Sequence, residues 1–183
     1  MLLETKNLSA GYKGMQVINK INLGLEKSEI VTIVGPNGSG KTTILRALVG
    51  IIEEYGGRIY DGDIIFEGKR INGKEPYELL RLGIAFVPDG GKVFPSMTVL
   101  ENLEMGGFIL NDKEELRKRI GEVLELFPIL KDLAKRKAMG LSGGEKQILS
   151  LGKALITKPR ILILDEPAAG LSPNYTMILF EKL

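Results

Sequence analysis

GPNGSGKT at residues 35–42 follows the apolar run IVTIV at 30–34 and precedes TILRALV at 43–49, a helix-like stretch. Strand, glycine-rich turn, helix is the order in which a G-x-x-x-x-G-K-[ST] match becomes a phosphate-binding loop. Gly35, Gly38 and Gly40 let backbone N–H groups turn inward and approach phosphate oxygens with no Cβ in the way. A helix beginning near Lys41 aims the positive end of its dipole at the same anion. Lys41 adds a point charge for the β- and γ-phosphates, and the Thr42 hydroxyl can ligate Mg2+. The competing reading is a chance match. With glycine near 7% of average composition, such a match arises in a chain of this length on the order of 1% of the time, and the flanking strand and helix decide for phosphate. IVTIV is too apolar to alternate, so it is expected as a strand buried on both faces of a parallel sheet. The loop by itself implies a nucleotide and leaves open which machine uses it.

At 183 residues the chain holds one core, or one core with a small subdomain, and not two large domains. Its 25 Lys and Arg against 23 Asp and Glu leave a formal charge of +2, too balanced to point to nucleic acid or an anionic membrane as the main partner. The absence of Cys excludes disulfides and thiolate metal sites and fits a reducing interior. The absence of His removes the commonest general base and metal ligand, so catalysis must use carboxylates, lysine, hydroxyls or Mg2+. No uncharged apolar run approaches the roughly 20 residues of a spanning helix, and the N-terminus lacks a basic stretch followed by an apolar one. A soluble, cytoplasmic chain is expected, with membrane association only through a partner.

LLETKNL at 2–8 and VINKINL at 17–23 alternate apolar with polar, the period of a half-buried antiparallel pair, with the turn expected at SAGYKG, 9–14. Tyr12, placed in that turn, either packs as a loop aromatic or stacks on a purine. The helix after the phosphate loop should end at 50–54, and RIYDGDIIFEG at 58–68 reads as strand. PYELLRL at 76–82 reads as a short helix opened by Pro76, and IAFV at 84–87 as a second buried strand broken by PDGG. From 98 to 139 helical spacing dominates, with Leu116, Ile120, Val123, Leu124 and Phe127 on one face. The charged run DKEELRKR at 112–119 is expected as the solvated side of that helix, with opposite charges four apart.

LSGGEKQ at 141–147 opens another amphipathic stretch. Ser142 suits an N-cap, and two glycines at a helix entrance leave N–H groups exposed, as a second anion site or as a plain capped start. ILILDEP at 161–167 is an apolar strand that delivers Asp165 and Glu166 at its C-terminal end, where open α/β sheets bind their ligands. Such acids also mark where a buried strand reaches water; beside a phosphate loop they favour Mg2+ chemistry. The expected organisation is an α/β chain in three parts. Residues 1–89 form the nucleotide-binding core with an antiparallel β subdomain, 90–140 a helical insert, and 141–183 the rest of the core, with a helix running over 174–183.

GPNGSGKT, a Val-Pro break before a helical insert, LSGGEKQ and ILILDEP, in this order over nearly the whole chain, resemble the ATPase cassette of ABC transporters. The LSGG helix start is not shared with other phosphate-loop families. The resemblance implies a P-loop NTPase (RecA-like) core with an N-terminal antiparallel β subdomain and an inserted helical subdomain, and a head-to-tail dimer holding two ATP. It implies that Gly35, Pro36, Asn37, Gly38, Ser39, Gly40, Lys41, Thr42 and Thr43 hold the phosphates of one ATP while Tyr12 stacks on its adenine. Leu141, Ser142, Gly143, Gly144 and Glu145 of the facing copy would cover that ATP. By the same likeness Thr42 and Asp165 support Mg2+, and Glu166 is the catalytic general base, acting with Lys41 on a transfer that needs mostly positioning and charge neutralisation. IAFVPDG at 84–90, VFPSMTVLENL at 93–103 and MGGF at 105–108 look like the ATPase subunits of branched-chain amino acid importers; relatives serving urea or short amides are nearly the same here. The implied partners are a second ATPase subunit, integral membrane permease subunits and, indirectly, a periplasmic or extracellular solute-binding protein, with no nucleic acid. The implied place is cytoplasmic, peripheral on the inner face of the cell membrane.

The chain departs from the family pattern in three places. Asp89 stands where the family usually has Gln, so direct Mg2+ ligation and a water-mediated contact are both open. Ser172 stands where the family has Asp. The family's switch histidine lies farther along than Leu183. A C-terminally incomplete cassette that binds ATP, hydrolyses it poorly and exposes an apolar sheet edge is the expectation. Rival readings are a non-transport cassette ATPase, a module in which ATP is only dimer glue, and a small-molecule phosphotransferase. The chromosome-organising and repair types carry very long coiled coils where about fifty residues separate Asp89 from Ser142 here; translation factors join two cassettes; a phosphotransferase has no use for LSGG.

Overall fold

The computed structural model describes residues 1–169 together with 173, 176 and 177. Ser172 lies outside the described residues, as does the helix expected over 174–183 apart from 176 and 177. The chain divides into two units, Met1–Leu82 and Gly83–Leu183.

In the first unit β1 (Leu3–Tyr12) is the spine of a five-stranded antiparallel sheet. β2 (Met15–Ile21) and β4 (Gly57–Phe66) flank it, β3 (Gly24–Leu25) pairs with its start, and β5 (Lys69–Arg70) adds to β4. Helix α1 (Lys41–Leu48) buries Ile44, Ala47 and Leu48, the i, i+3, i+4 stripe of a helix laid on a core. Gly50, at φ 72°, follows its end as the glycine expected just past a helix terminus. Helix α2 (Pro76–Leu82) begins with its proline at the first position and buries Leu79.

The N-terminal hairpin is tighter than its alternation suggests. Residues 9–12, expected in the turn, continue β1, with Tyr12 paired to Met15 on one side and to Gly57 on the other. The turn is Lys13 and Gly14, both at positive φ (50° and 82°), the conformation whose twist matches that of paired strands. Ser9, Ala10 and Gly11 are small and buried at the sheet centre, and a Cβ at Gly11 would run into the Met15 carbonyl. Small residues extended the strand where polarity suggested a loop.

The larger correction concerns IVTIV. Residues 30–34 belong to neither sheet, and Ile30 and Val34 are 81% and 87% exposed. A continuous apolar run becomes a buried strand only where neighbours on both sides exchange backbone hydrogen bonds with it. Among the described residues no strand pairs with this one, so composition alone did not bury it.

The second unit is built on β6 (Ile84–Val87) and β7 (Ile161–Leu164), parallel and in register from Ile84↔Ile161 to Val87↔Leu164. Their connection carries α3 (Val99–Gly106), α4 (Lys113–Leu126), α5 (Pro128–Asp132) and α6 (Gly143–Leu155). Phe127, Leu103, Leu130, Ile148 and Leu149 are fully buried at the centre of one apolar cluster, and Ile120, Val123 and Phe127 of the expected stripe lie within it. Helices α3 and α6 meet backbone to backbone: a Cβ at Gly106 would stand 2.5 Å from the Lys153 carbonyl oxygen. The expected four-apart charges are seen in the Glu115–Arg119 pair at 2.7 Å. No helix among the described residues is long and apolar enough to cross a membrane.

One polar side chain inside this unit sets the path of the chain after β6. Asn102 of α3, 0% exposed, accepts from the Phe94 N–H at 2.8 Å and donates to the Phe94 carbonyl at 3.0 Å and the Thr98 carbonyl at 2.9 Å. It acts as a two-bond backbone partner for Phe94, which lies in no strand. Replacing Asn102 with Ala strands both Phe94 groups, and urea denaturation should show a loss of about 1–3 kcal/mol. A loss below about 0.5 kcal/mol, the level of an ordinary surface change, would show the clamp to be dispensable.

Candidate functional site

In the first unit the chain reaches α1 through a turn of positive φ at Gly38 (81°) and Gly40 (96°). Gly40 is the N-cap residue and therefore provides no side-chain acceptor, and no acid lies in the first turn. The first bond of the helix runs from the Ile44 N–H to the Gly40 carbonyl, so the amides before Ile44 point out of its N-terminus, as at any helix start. Lys41 Nζ is folded over the loop and donates to the Gly35 and Pro36 carbonyls, both at 3.0 Å. Ser39 closes the turn, its N–H donating to the Pro36 carbonyl at 3.2 Å, and its Oγ would stand 2.7 Å from a Cβ at Gly35. A Cβ on Gly38 would meet nothing within 4 Å, so the mouth of the turn is open. Amides at the helix start, one ammonium and a first turn without acid make a donor set that fits a multiply charged anion. Pro36 and Asn37 are exposed, Thr42 is half-buried, and Thr43 is buried in the core face of α1.

The hairpin of β1 and β2 lies beside this loop. A Cβ on Gly40 would stand 2.7 Å from Ile18 Cγ2 and 3.3 Å from Val17 Cγ1. Val17 is an exposed apolar residue at the rim of the anion cradle, and sequence reading had treated it only as strand. Tyr12 Oη accepts from Arg46 Nη1 at 3.3 Å, and the Arg46 guanidinium stands 3.7 Å over the Tyr55 ring. One edge of Tyr12 packs on Gly57, where a Cβ would meet ring carbon Cδ1 at 2.7 Å. The residue therefore has a structural role whether or not it also meets a ligand.

In the second unit the register of β6 and β7 brings two chain ends together. The Asp165 N–H donates to the Val87 carbonyl at 3.0 Å, so Asp89 follows one strand and Asp165–Glu166 the other at the same edge. Asp165 is buried, whereas Glu166 is exposed with φ 45°. A left-handed glutamate costs of order 1–3 kcal/mol, and such strain clusters at functional positions. No sequence signal revealed it. Among the described residues no three acidic side chains converge on one point; a Mg2+ ion in such a place is held by one or two protein groups together with phosphate oxygens.

The start of α6 is a reciprocal cap. Ser142 Oγ accepts from the Glu145 N–H at 3.3 Å, and a Glu145 carboxylate oxygen accepts from the Ser142 N–H at 2.7 Å. Leu141 is buried beneath it, and a Cβ on Gly143 would meet nothing within 4 Å. The plain capped start expected of LSGGE is what the hydrogen bonds show, with Gly143 exposed at the helix entrance and Gly144 buried behind it.

The family model described as ABC transporter matches residues 18–169. The chain is 39% identical over 182 residues to the probable branched-chain amino acid transport ATP-binding protein LivF of Archaeoglobus fulgidus, covering 100% of this chain and 75% of that protein. It is 40% identical to the high-affinity branched-chain amino acid transport ATP-binding protein BraG of Pseudomonas aeruginosa, covering 98% and 75%. Among solved structures, the ADP conformation of MJ1267, an ATP-binding cassette of an ABC transporter, superposes with a TM-score of 0.84 at 31% identity over 99% of this chain and 74% of that one.

Two substitutions check the local geometry. Gly40→Ala places a Cβ against Ile18 at a left-handed position and should lower stability by about 1–3 kcal/mol in thermal or urea melts. Ser142→Ala and Glu145→Ala should each cost about 1 kcal/mol, and the double variant less than the sum, because both open the same capping box; strict additivity would show that the two bonds are not coupled.

Proposed function

Because this chain belongs to the ABC transporter family of ATP-binding cassettes, we propose that it is the ATPase subunit of an importer for branched-chain amino acids or similar small polar solutes. The observation that carries the nucleotide reading is the start of α1, where outward amides and the Lys41 ammonium face an open turn without any acid. The solute class rests on the likeness to transport subunits of that name.

Lys41 exchanges its two carbonyl acceptors for β- and γ-phosphate oxygens, which as ionised acceptors hold an ammonium more strongly than neutral carbonyls do. The amides at the start of α1, with Thr42, take further oxygens. Tyr12 and Val17 offer apolar surface to the base and sugar. Glu166 accepts the proton of the water that attacks the γ-phosphorus. The bond to the β-phosphate breaks, and ADP and phosphate leave. Thr42 and Asp165 would hold a Mg2+ ion, with Asp89 after the neighbouring strand as a further carboxylate, and the ion would supply neutralisation of the phosphate charge. The α6 entrance at Leu141–Ser142–Gly143–Gly144–Glu145 covers the γ-phosphate bound by a second ATPase subunit. The assembly sits at the cytoplasmic face of a membrane through permease subunits, and a solute-binding protein meets it only through them.

Fluorescent-nucleotide titration and steady-state hydrolysis test this together. Lys41→Ala should weaken ATP binding roughly 10- to 100-fold, the range of one to two charge-assisted hydrogen bonds. Glu166→Gln should keep the affinity and cut turnover by about 10²–10⁴, the usual contribution of a general base. Equal ATP affinity in wild type and Lys41→Ala would overturn the assignment of the phosphate loop.

A further inference from the structure

Helix α6 carries a polar stripe through an apolar unit. Gln147, Ser150 and Lys153 follow one another at three-residue spacing, while Ile148, Leu149 and Leu151 between them are buried. The stripe faces the segment that leaves β6. Gly91, at φ 59°, lies so close that a Cβ there would sit 2.7 Å from the Gln147 nitrogen. The Lys92 carbonyl accepts from Lys153 Nζ at 3.1 Å and from Ser150 Oγ at 3.5 Å. The same ammonium stands 4.5 Å from the centroid of the Phe94 ring, and Phe94 is itself bonded through N–H and C=O to Asn102.

A half-buried ammonium loses hydration and is tolerated where acceptors and an aromatic face replace it. Burial holds the Lys153 ammonium below the usual lysine range. The Lys153 ammonium meets one backbone carbonyl and one ring, those of Lys92 and Phe94, two residues apart. Asp89 lies two residues after Val87, whose carbonyl is bonded to the Asp165 N–H, and three residues before Lys92. The Asp89 segment is therefore a short bridge fixed to β6 at one end and to α6 at the other. Beside it, Gln147 Nε2 is buried with no hydrogen-bond partner among the described residues.

Resting on the nucleotide-hydrolysis reading, we propose that Lys153 is a positioning residue that ties the Asp89 segment to the helix whose first turn carries Ser142, Gly143 and Gly144, so that the two segments respond to a bound triphosphate together. Lys153 touches no reacting atom in this role.

The test pairs hydrogen exchange of peptides spanning 88–95 with steady-state ATP turnover in wild type, Lys153→Met, Lys153→Arg and Phe94→Leu. In Lys153→Met the segment should exchange about tenfold faster while β7 is unchanged, and kcat should fall about tenfold with KM for ATP within about twofold, tenfold being the effect of one lost charged hydrogen bond. Lys153→Arg, which keeps charge and reach, should restore both, and Phe94→Leu should move both less in the same direction. If Lys153→Met does not fold, the contrast between Phe94→Leu and Lys153→Arg decides. Unchanged exchange at 88–95 overturns the proposal whatever the turnover, and faster exchange with wild-type kcat removes the coupling. Absent turnover in wild type, with exchange raised as expected, would sink the hydrolysis reading and leave the clamp standing.

Discussion

In-register pairing from Ile84↔Ile161 to Val87↔Leu164, continued by the bond from the Asp165 N–H to the Val87 carbonyl, forces two strand ends to stop level with each other. Parallel strands cannot be joined by a tight turn. The chain between them must travel away and return, and here it does so as four helices. The apolar cluster around Phe127 and Leu149 is what holds those helices against the strands. The ladder thus sets Asp165 beside the end of β6, and Asp89 follows that strand two residues on. Glu166 in a left-handed conformation is the local cost of turning the chain sharply away from that edge.

The first unit holds a cation at the start of α1 with carbonyl partners and no acid in the first turn. Lys41 rests on two carbonyl oxygens, which order the side chain yet bind it more weakly than any ionised oxygen would. A carboxylate in the same place would hold the ammonium too well. The glycine at the cap position serves the same end, since a Ser or Asp there would occupy an amide that the turn leaves for a ligand. Closeness of β2 at Gly40 then gives the cradle an apolar rim at Val17.

The second unit has the opposite character at its helix starts. Thr98 with Glu101, Asp112, and Ser142 with Glu145 each satisfy their own first-turn amides, and Glu101 is held below the usual carboxylate range by the hydrogen bonds it accepts from the Thr98 backbone and hydroxyl. Such caps are local, with donor and acceptor within three residues, and the one at Ser142 was legible in the sequence. Asn102 and Lys153 were not. Their partners are backbone carbonyls and a ring in the segment after β6, and no residue type advertises a free carbonyl.

The hairpin turn and IVTIV show where reading by pattern stops. Polarity placed a loop at 9–12, but side-chain size settled the matter, because small residues let β1 continue between two partners. Apolarity placed a buried strand at 30–34, yet burial of a strand needs neighbours, and hydrophobicity is a property of one segment while pairing is a property of two. What the sequence determined by itself was what local spacing can encode: the glycine turn before α1, the Ser142 cap, the acids after an apolar strand, and through these motifs the family. What only the tertiary structure decided was which of those segments find partners, namely the level ends of β6 and β7, the strain at Glu166, the Asn102 and Lys153 clamps and the run before the loop that pairs with no strand among the described residues. Each depends on groups brought together across long stretches of chain, and the free energy of such contacts is absent from either segment read alone.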